Sequence, residues 1–253
     1  LSRLDRFAEM GFNLEGIKVI PQAMDARRFF AYADSSTIYS DDPVQHFSQR
    51  GLAFPVDLLS YQPHSPSISS RTAPLAQSVQ ISDVPEAYLE ASAVHIAPLD
   101  YLTHMIIPSV FRQGQTTTLT LSSTPGYMTP SFWEEVPGLI SDLTAFITSE
   151  GEIRNLFQGR STSLEQMAEQ LGDAGPEFIL IRRQDSGYWL YDRSNHRHWM
   201  VPDYPAIVVD PTGADDAFAV GFLAAYRQTY DPVESVLQGA IAASLVVEGS
   251  GVY

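Results

Sequence analysis

The sequence predicts an α/β fold on a mainly parallel sheet, and three observations carry that expectation. From about residue 84 onward, short apolar runs alternate with longer stretches of helical periodicity, the pattern of βαβ units. The runs are continuous rather than alternating, as expected of strands covered on both faces. Hydrophobic residues make up 44% of the 253 positions against 18% charged, enough to bury a sizeable core.

The elements follow in order. Leu4, Phe7 and Ala8 mark a first helix. Gly16–Ile20 reads as a strand, Arg28 to Ala33 as a second and Ser36 to Tyr39 as a third, with Asp34-Ser35 as a hairpin turn. Residues 41–80 are rich in Ser, Pro and Gln and have no sustained period, so a lid or connecting region with short strands at most is expected. A short helix is predicted over Pro85–Ala91, a buried strand over Ala93–Ala97, a helix over 99–112 and a strand over Thr116–Leu121. Pro130 opens a helix at a favoured first-turn position. Leu143–Ile147 is a strand, with helices over 150–157 and 162–171. Phe178–Ile181 is a strand, and Tyr188–Tyr191 and His198–Val201 form an antiparallel pair. Ile207-Val208-Val209 is the last strand, and helices cover 213–229 and 232–247. No internal repeat is visible. The expected organisation is one α/β domain over residues 1–253, with a small β element and a connecting region within 16–80.

Composition removes several function classes. Lys+Arg is 15 and Asp+Glu is 30, a net charge of −15 that repels nucleic acid and anionic lipid. Neither is an expected partner. Cysteine is absent, which excludes disulfides, Cys-ligated zinc, iron–sulfur clusters and thiol catalysis. No apolar run approaches the ~20 residues of a membrane helix and no signal peptide is visible, so a cytoplasmic protein is expected. Lys18 is the only lysine, so a Gly-x4-Gly-Lys phosphate loop is impossible. Gly-x-Gly-x-x-Gly, Gly-x-Ser-x-Gly and His-Glu-x-x-His motifs do not occur.

The most informative stretch is Val208-Val209-Asp210-Pro211-Thr212-Gly213-Ala214-Asp215-Asp216-Ala217-Phe218. An apolar strand runs into a small-residue turn that opens a helix. Ala214, Phe218, Phe222 and Tyr226 recur at helical spacing and define its buried face. The backbone N–H groups of Gly213, Ala214, Asp215 and Asp216 then lie at a helix N-terminus, where unpaired donors and the positive end of the dipole hold an anion. Asp216 lies beside that anion, placed to take a proton from an attacking hydroxyl. An anion hole with an adjacent base is the minimal equipment for phosphoryl transfer to an alcohol. The plainer alternative is that Asp210 or Asp216 merely caps the helix.

This stretch resembles the C-terminal signature of the PfkB carbohydrate kinase (ribokinase-like) family, which reads Asp-[Thr/Pro]-Thr-Gly-Ala-Gly-Asp-x-Phe. Gly221-Phe222-Leu223 also fits. Phe178–Ile181 leading to Ser186-Gly187 resembles the strand before the family's nucleotide loop. Thr148-Ser149-Glu150-Gly151-Glu152 sits where the family carries Asn-x-x-Glu, and Gly11 through Tyr32 resembles the segment feeding its β-lid. The resemblance implies a three-layer α/β/α fold with a small β-lid, and ATP-dependent phosphorylation of a hydroxyl on a sugar or sugar-like molecule, with nucleosides as a variant. It implies Asp216 as base and residues 213–216 as anion hole. Asp210 and the Thr212 carbonyl would hold a monovalent cation such as K⁺, with Ser244, Val247 and Gly249 as weaker candidates. Glu152 would act through Mg²⁺-bound water, with Ser149 beside it. Arg183 to Gly187 and the 236–247 helix would line the nucleotide cleft. Pairing of two copies through the lid would give a homodimer.

The sequence also departs from the family pattern. Asp215 replaces a Gly inside the anion hole. One further charge about 5 Å from a phosphate costs roughly 3 kcal/mol at an effective dielectric near 20. Alternatively its side chain faces solvent and favours the helix N-terminus by about 0.3–1 kcal/mol. Ser149 replaces Asn, and Gln184 stands where the nucleotide loop has Gly. The family's first strand, substrate-binding Asp and Gly-Gly-x-x-x-Asn motif have no counterpart, which implies a segment ahead of Leu1. A second reading therefore stands beside the kinase: a catalytically weakened relative that binds a small molecule or a partner.

Other candidates are weaker. His196 and His198 are expected to share a strand face, where they could take a metal or, with no third ligand in view, lie in a solvated hairpin. His95 and Asp100 lie near a strand's carboxyl end, where they could border the crevice. Phe29, Phe30 and Tyr32 pack under the lid or form a subunit contact.

Overall fold

The computed structural model describes residues 3–21, 27, 29–32, 38–62, 68–183 and 186–249. Its elements, in chain order, are α1 (Arg3–Glu9), β1 (Ala31–Tyr32), β2 (Ile38–Tyr39), α2 (Pro43–Gln49), β3 (Ala93–Ile96), α3 (Tyr101–Arg112), β4 (Thr118–Ser122), α4 (Val136–Ile140), β5 (Ala145–Ser149), α5 (Glu150–Leu156), α6 (Leu164–Asp173), β6 (Phe178–Arg183), β7 (Gly187–Asp192), β8 (Arg197–Val201), α7 (Ala214–Thr229) and α8 (Pro232–Val247). The chain divides into two units, one of residues 1–21 with 68–253 and one of residues 22–67.

In the larger unit one sheet runs β3-β4-β5-β6-β7-β8. β3 to β6 are parallel, and β6, β7 and β8 are antiparallel. Period-2 alternation divides the strand residues between two cores. Phe146, Ile179, Ile181 and Tyr191 pack with Ile107 and Phe111 of α3, Ile153 of α5 and Met167 and Leu171 of α6. Ala145, Ile147, Phe178, Leu180, Tyr188 and Leu190 pack with Phe218 and Phe222 of α7 and Val236 and Ala240 of α8. Helices therefore cover both faces, and the expected mainly parallel α/β/α architecture is the observed one. Side-chain caps start the helices: Asp100 for α3, Ser149 for α5, Ser163 for α6 and Asp231 for α8, the last followed by Pro232. Among the described residues, no helix is long and apolar enough to cross a membrane.

α7 and α8 approach closely because Gly239 has no side chain. A Cβ there would lie 2.8 Å from both the Phe218 ring and the Phe218 carbonyl. Gly239→Ala is expected to destabilise the protein by about 1–3 kcal/mol through overpacking. Thermal unfolding by circular dichroism would register this as a fall in Tm of several degrees.

The smaller unit holds the two-residue ladder of β1 and β2, paired Ala31 with Tyr39 and Tyr32 with Ile38. Phe29, Ala31 and Tyr61 are buried there, with Phe47 and Leu58 packed against them. Phe29 lies 6.1 Å from Phe47 and 6.4 Å from Tyr61 between ring centroids, whereas Phe30 is exposed. Arg28, Ala33 and the expected turn Asp34-Ser35 lie outside the described residues.

Some expected elements differ. Gly16–Ile20 is irregular rather than a strand. Two side chains elsewhere in the unit hold it in place of a ladder partner: the Gly16 amide donates to the Tyr88 hydroxyl at 3.1 Å, and Lys18 pairs with Asp83 at 2.5 Å. Pro85–Ala91 and Pro130 give 3-10 turns, Glu86–Glu90 and Pro130–Phe132. Ile207–Val209 is not a strand either. The amides of Val209 and Asp210 both donate to the Val247 carbonyl, at 2.7 and 3.1 Å, so the end of α8 replaces a ladder partner. The apolar run that predicted a buried strand is instead exposed at all three side chains.

Candidate active site

A cavity of about 340 Å³ opens at the carboxyl ends of β4, β5 and β6, between the starts of α5 and α7. This is where parallel α/β sheets place ligands. Ser122, Ser123, Thr148, Ser149, Glu152, Arg182, Tyr188, Asp215 and Asp216 line it. A larger cavity of about 590 Å³ lies beside β3. Its wall is mainly aliphatic and aromatic, with Glu90 as its one charged side chain. The smaller cavity is the candidate site because acids, a guanidinium and hydroxyls converge there.

The turn before α7 is built from local bonds. Asp210 Oδ1 accepts the Thr212 amide at 3.0 Å, and the Pro211 carbonyl accepts the Ala214 amide at 3.1 Å. Gly213 adopts φ 87°, a left-handed conformation that a side chain resists. The Gly213 carbonyl then accepts the Ala217 amide at 2.9 Å. Among the described residues the amides of Asp215 and Asp216 have no backbone acceptor. Ala214's amide, by contrast, belongs to the turn. Phe218 anchors the first turn of α7, its ring stacked on Tyr188 at 3.7 Å.

Asp216 stands at the cavity mouth. Partial desolvation, and then the neighbouring Asp215 carboxylate, raise its pKa above the ordinary carboxylate value. Asp215 is neither buried in the cavity nor free in water. Its side chain is 70% exposed, and Oδ1 meets Arg182 Nη1 at 2.5 Å. A pair this open contributes about 0.2–1 kcal/mol.

Ser149 and Glu152 form a capping box at the start of α5. Glu152 Oε2 accepts the Ser149 amide at 3.0 Å, the Ser149 hydroxyl at 2.8 Å and the Ser123 hydroxyl at 3.1 Å. Its Oε1 takes no hydrogen bond among the described residues. Glu152 and Asp216 thus offer hard carboxylate oxygens in one cavity, a donor type that suits Mg²⁺.

The remaining expected residues lie outside the cavity wall. Arg183 donates from Nε to Glu150 Oε2 at 2.9 Å, on the opposite face of β6 from α7, and does not line the cavity. Gly187 opens β7 at φ 79°, and Gln184 lies outside the described residues. Asp210 and Val247 come together through the two amides on the Val247 carbonyl, while the Ser244 hydroxyl donates to its own helix at Ile241. Gly249 donates to the Val246 carbonyl at 3.4 Å.

His95 bonds Thr120 Oγ1 at 2.9 Å and faces the larger cavity; burial pushes its pKa down to about 4, so it is neutral. Asp100 is committed to capping α3. His196 lies in the turn before β8 at φ 49° and does not share a strand face with His198. Trp189 donates its indole N–H to His198 Nδ1 at 3.0 Å. The imidazole proton is thereby on Nε2, facing Glu165 and Glu169, which opposes metal ligation there.

Sequence reasoning passed over Arg182. The signal was available in strand parity: Phe178 and Leu180 face α7 and α8, so Arg182 follows them, whereas Arg183 follows Ile179 and Ile181.

Comparison with known proteins matches residues 84–253 to the pfkB family carbohydrate kinases. A cytidine kinase from Thermococcus kodakarensis is 30% identical over 185 residues, covering 70% of this chain and 63% of its own. A putative ribokinase II from E. coli, solved in complex with ATP and Mg²⁺, superposes with a TM-score of 0.56 at 18% identity, over 68% of this chain and 57% of its own. The nucleoside kinase of Methanocaldococcus jannaschii superposes with a TM-score of 0.52 at 24% identity, over 64% of this chain and 51% of its own. The chain therefore spans less than two thirds of the length of these relatives.

Proposed function

The chain belongs to the pfkB family of carbohydrate kinases, and from that premise we propose that it transfers the γ-phosphoryl group of ATP to a hydroxyl of a sugar or nucleoside. The observation that carries this reading is Asp216, a carboxylate of raised pKa beside the unpaired amides that open α7. In this reading Asp216 accepts the proton of the attacking hydroxyl as its oxygen bonds to the γ-phosphorus. The bond to the bridging oxygen of ADP breaks in the same step. The amides of Asp215 and Asp216 hold the developing negative charge. Mg²⁺, when bound, would neutralise charge between the β- and γ-phosphates, and Glu152 would hold it through water. K⁺ would sit near Asp210 and the Thr212 carbonyl. Ser149 and Gly187 border the nucleotide in the same proposal, and Arg183 is a more distant participant, acting through Glu150. The β-lid would lie within residues 16–80, and two copies would pair through it.

The acceptor includes nucleosides because the similar Thermococcus protein is a cytidine kinase. The test is ADP release from Mg-ATP across a panel of sugars and nucleosides. Acceptor-dependent ADP with at least one of them supports the reading. Its absence across the panel, with Mg-ATP bound, favours the non-catalytic binding role.

The pH dependence has a definite sign. The base must be ionised, so kcat/KM falls as pH drops through the Asp216 pKa, which is raised from the ordinary carboxylate value. The Asp215 carboxylate contributes to that elevation. Asp215→Asn is therefore expected to move the acid limb of kcat/KM to lower pH. An unmoved limb would show that another group sets it.

A further inference from the structure

Arg182 sits in the candidate site with a buried N–H that no partner explains. Nη1 holds Asp215 Oδ1 at 2.5 Å, while Nε is buried and has no acceptor among the described residues. A buried guanidinium N–H without an acceptor is unfavourable, and the planar fork of Arg is shaped to hold two oxygens together. Asp215 supplies one. Burial acts to lower the Arg182 pKa, but Asp215, Tyr188 and Asp203 outweigh it and the pKa is raised, so the group is a fixed positive charge. Its position is decided by β6, whose even-numbered residues face α7. It shares the cavity wall with Ser149, Glu152 and Asp216. An anion on the amides of Asp215 and Asp216 would thus adjoin the residue that already holds the guanidinium.

Resting on the kinase reading above, we propose that Arg182 is a phosphate-binding residue of this site. Asp215 is the internal anion that a phosphoryl oxygen displaces from it. Asp215 keeps the guanidinium at the cavity mouth and competes for it. Its exposure makes the exchange easy, because water takes over the carboxylate as it is released. The ligand class is an oligophosphate: the triphosphate of a nucleotide, or pyrophosphate as its minimal form.

The test uses four full-length chains: wild type, Arg182→Gln, Asp215→Asn and the double variant. Mg-ATP and pyrophosphate are each titrated by calorimetry. Asp215→Asn is expected to tighten both ligands several-fold. Arg182→Gln is expected to weaken both by tenfold or more, and to weaken them by tenfold or more again when introduced into Asp215→Asn. That persistence matters, because an arginine that only offsets Asp215 loses its purpose once the carboxylate is gone. A double variant that binds as tightly as Asp215→Asn alone would overturn the proposal and leave the kinase reading standing. Pyrophosphate binding that depends on Arg182, without Mg-ATP binding in any chain, would sustain the phosphate role and overturn the kinase reading. Neither ligand binding to wild type or to Asp215→Asn would overturn both. Should Arg182→Gln fail to fold by circular dichroism, Arg182→Lys takes its place. It keeps the charge but lacks the fork, and the same loss in both backgrounds is expected of it.

Discussion

Asp216→Asn is expected to lower kcat by roughly two to four orders of magnitude while leaving Mg-ATP affinity within a few-fold of wild type. Asn matches Asp in size and cannot accept a proton at neutral pH. Asp216 is exposed at the cavity mouth, so the substitution leaves no buried group unpaired. It also removes the repulsion from Asp215, a change that favours folding. The plainer role, a helix-end carboxylate that only favours the dipole of α7, predicts a different result: a stability change of about 0.3–1 kcal/mol and unchanged kcat. Steady-state ADP release, read beside a thermal melt, separates the two.

Phe218→Ala is expected to have the largest effect on stability, about 3–5 kcal/mol. The ring is 1% exposed, lies parallel to Tyr188 at 3.7 Å and fills the space that Gly239 leaves open. It sits one turn into α7, so it fixes the start of that helix against β7 and with it the amides of Asp215 and Asp216. Loss of the ring should lower Tm by roughly 6–20 °C at the 2–4 °C per kcal/mol usual for this size of domain. Phosphate affinity should fall with it. A melt within about 2 °C of wild type would show that the stack does not hold α7 in place.

Much of this was legible in the sequence, for physical reasons. Continuous apolar runs located β3 to β6, because strands buried on both faces need them, and helical periodicity located α3, α5, α6, α7 and α8; β7 and the partly exposed β8 are legible as an antiparallel pair. The turn from Asp210 to Gly213 was legible because its left-handed residue is a glycine and its first bond is an aspartate to an amide two residues on. Ile207–Val209 was misread as a strand because apolar composition does not reveal whether a ladder partner exists. Here the end of α8 accepts the backbone bonds instead. The Asp215–Arg182 pair was not legible, because 33 positions separate the two residues and only the sheet brings them together. Read alone, Asp215 was a charge of uncertain direction; paired, it is a partner with a defined position.

The most direct test of the account is a titration of Mg-ATP into the full chain, followed by calorimetry, with potassium present and pyrophosphate as competitor. One site per chain is expected, displaced by pyrophosphate and tightened by Asp215→Asn. No detectable heat in wild type or in Asp215→Asn would contradict the assignment of this cavity to a phosphoryl donor.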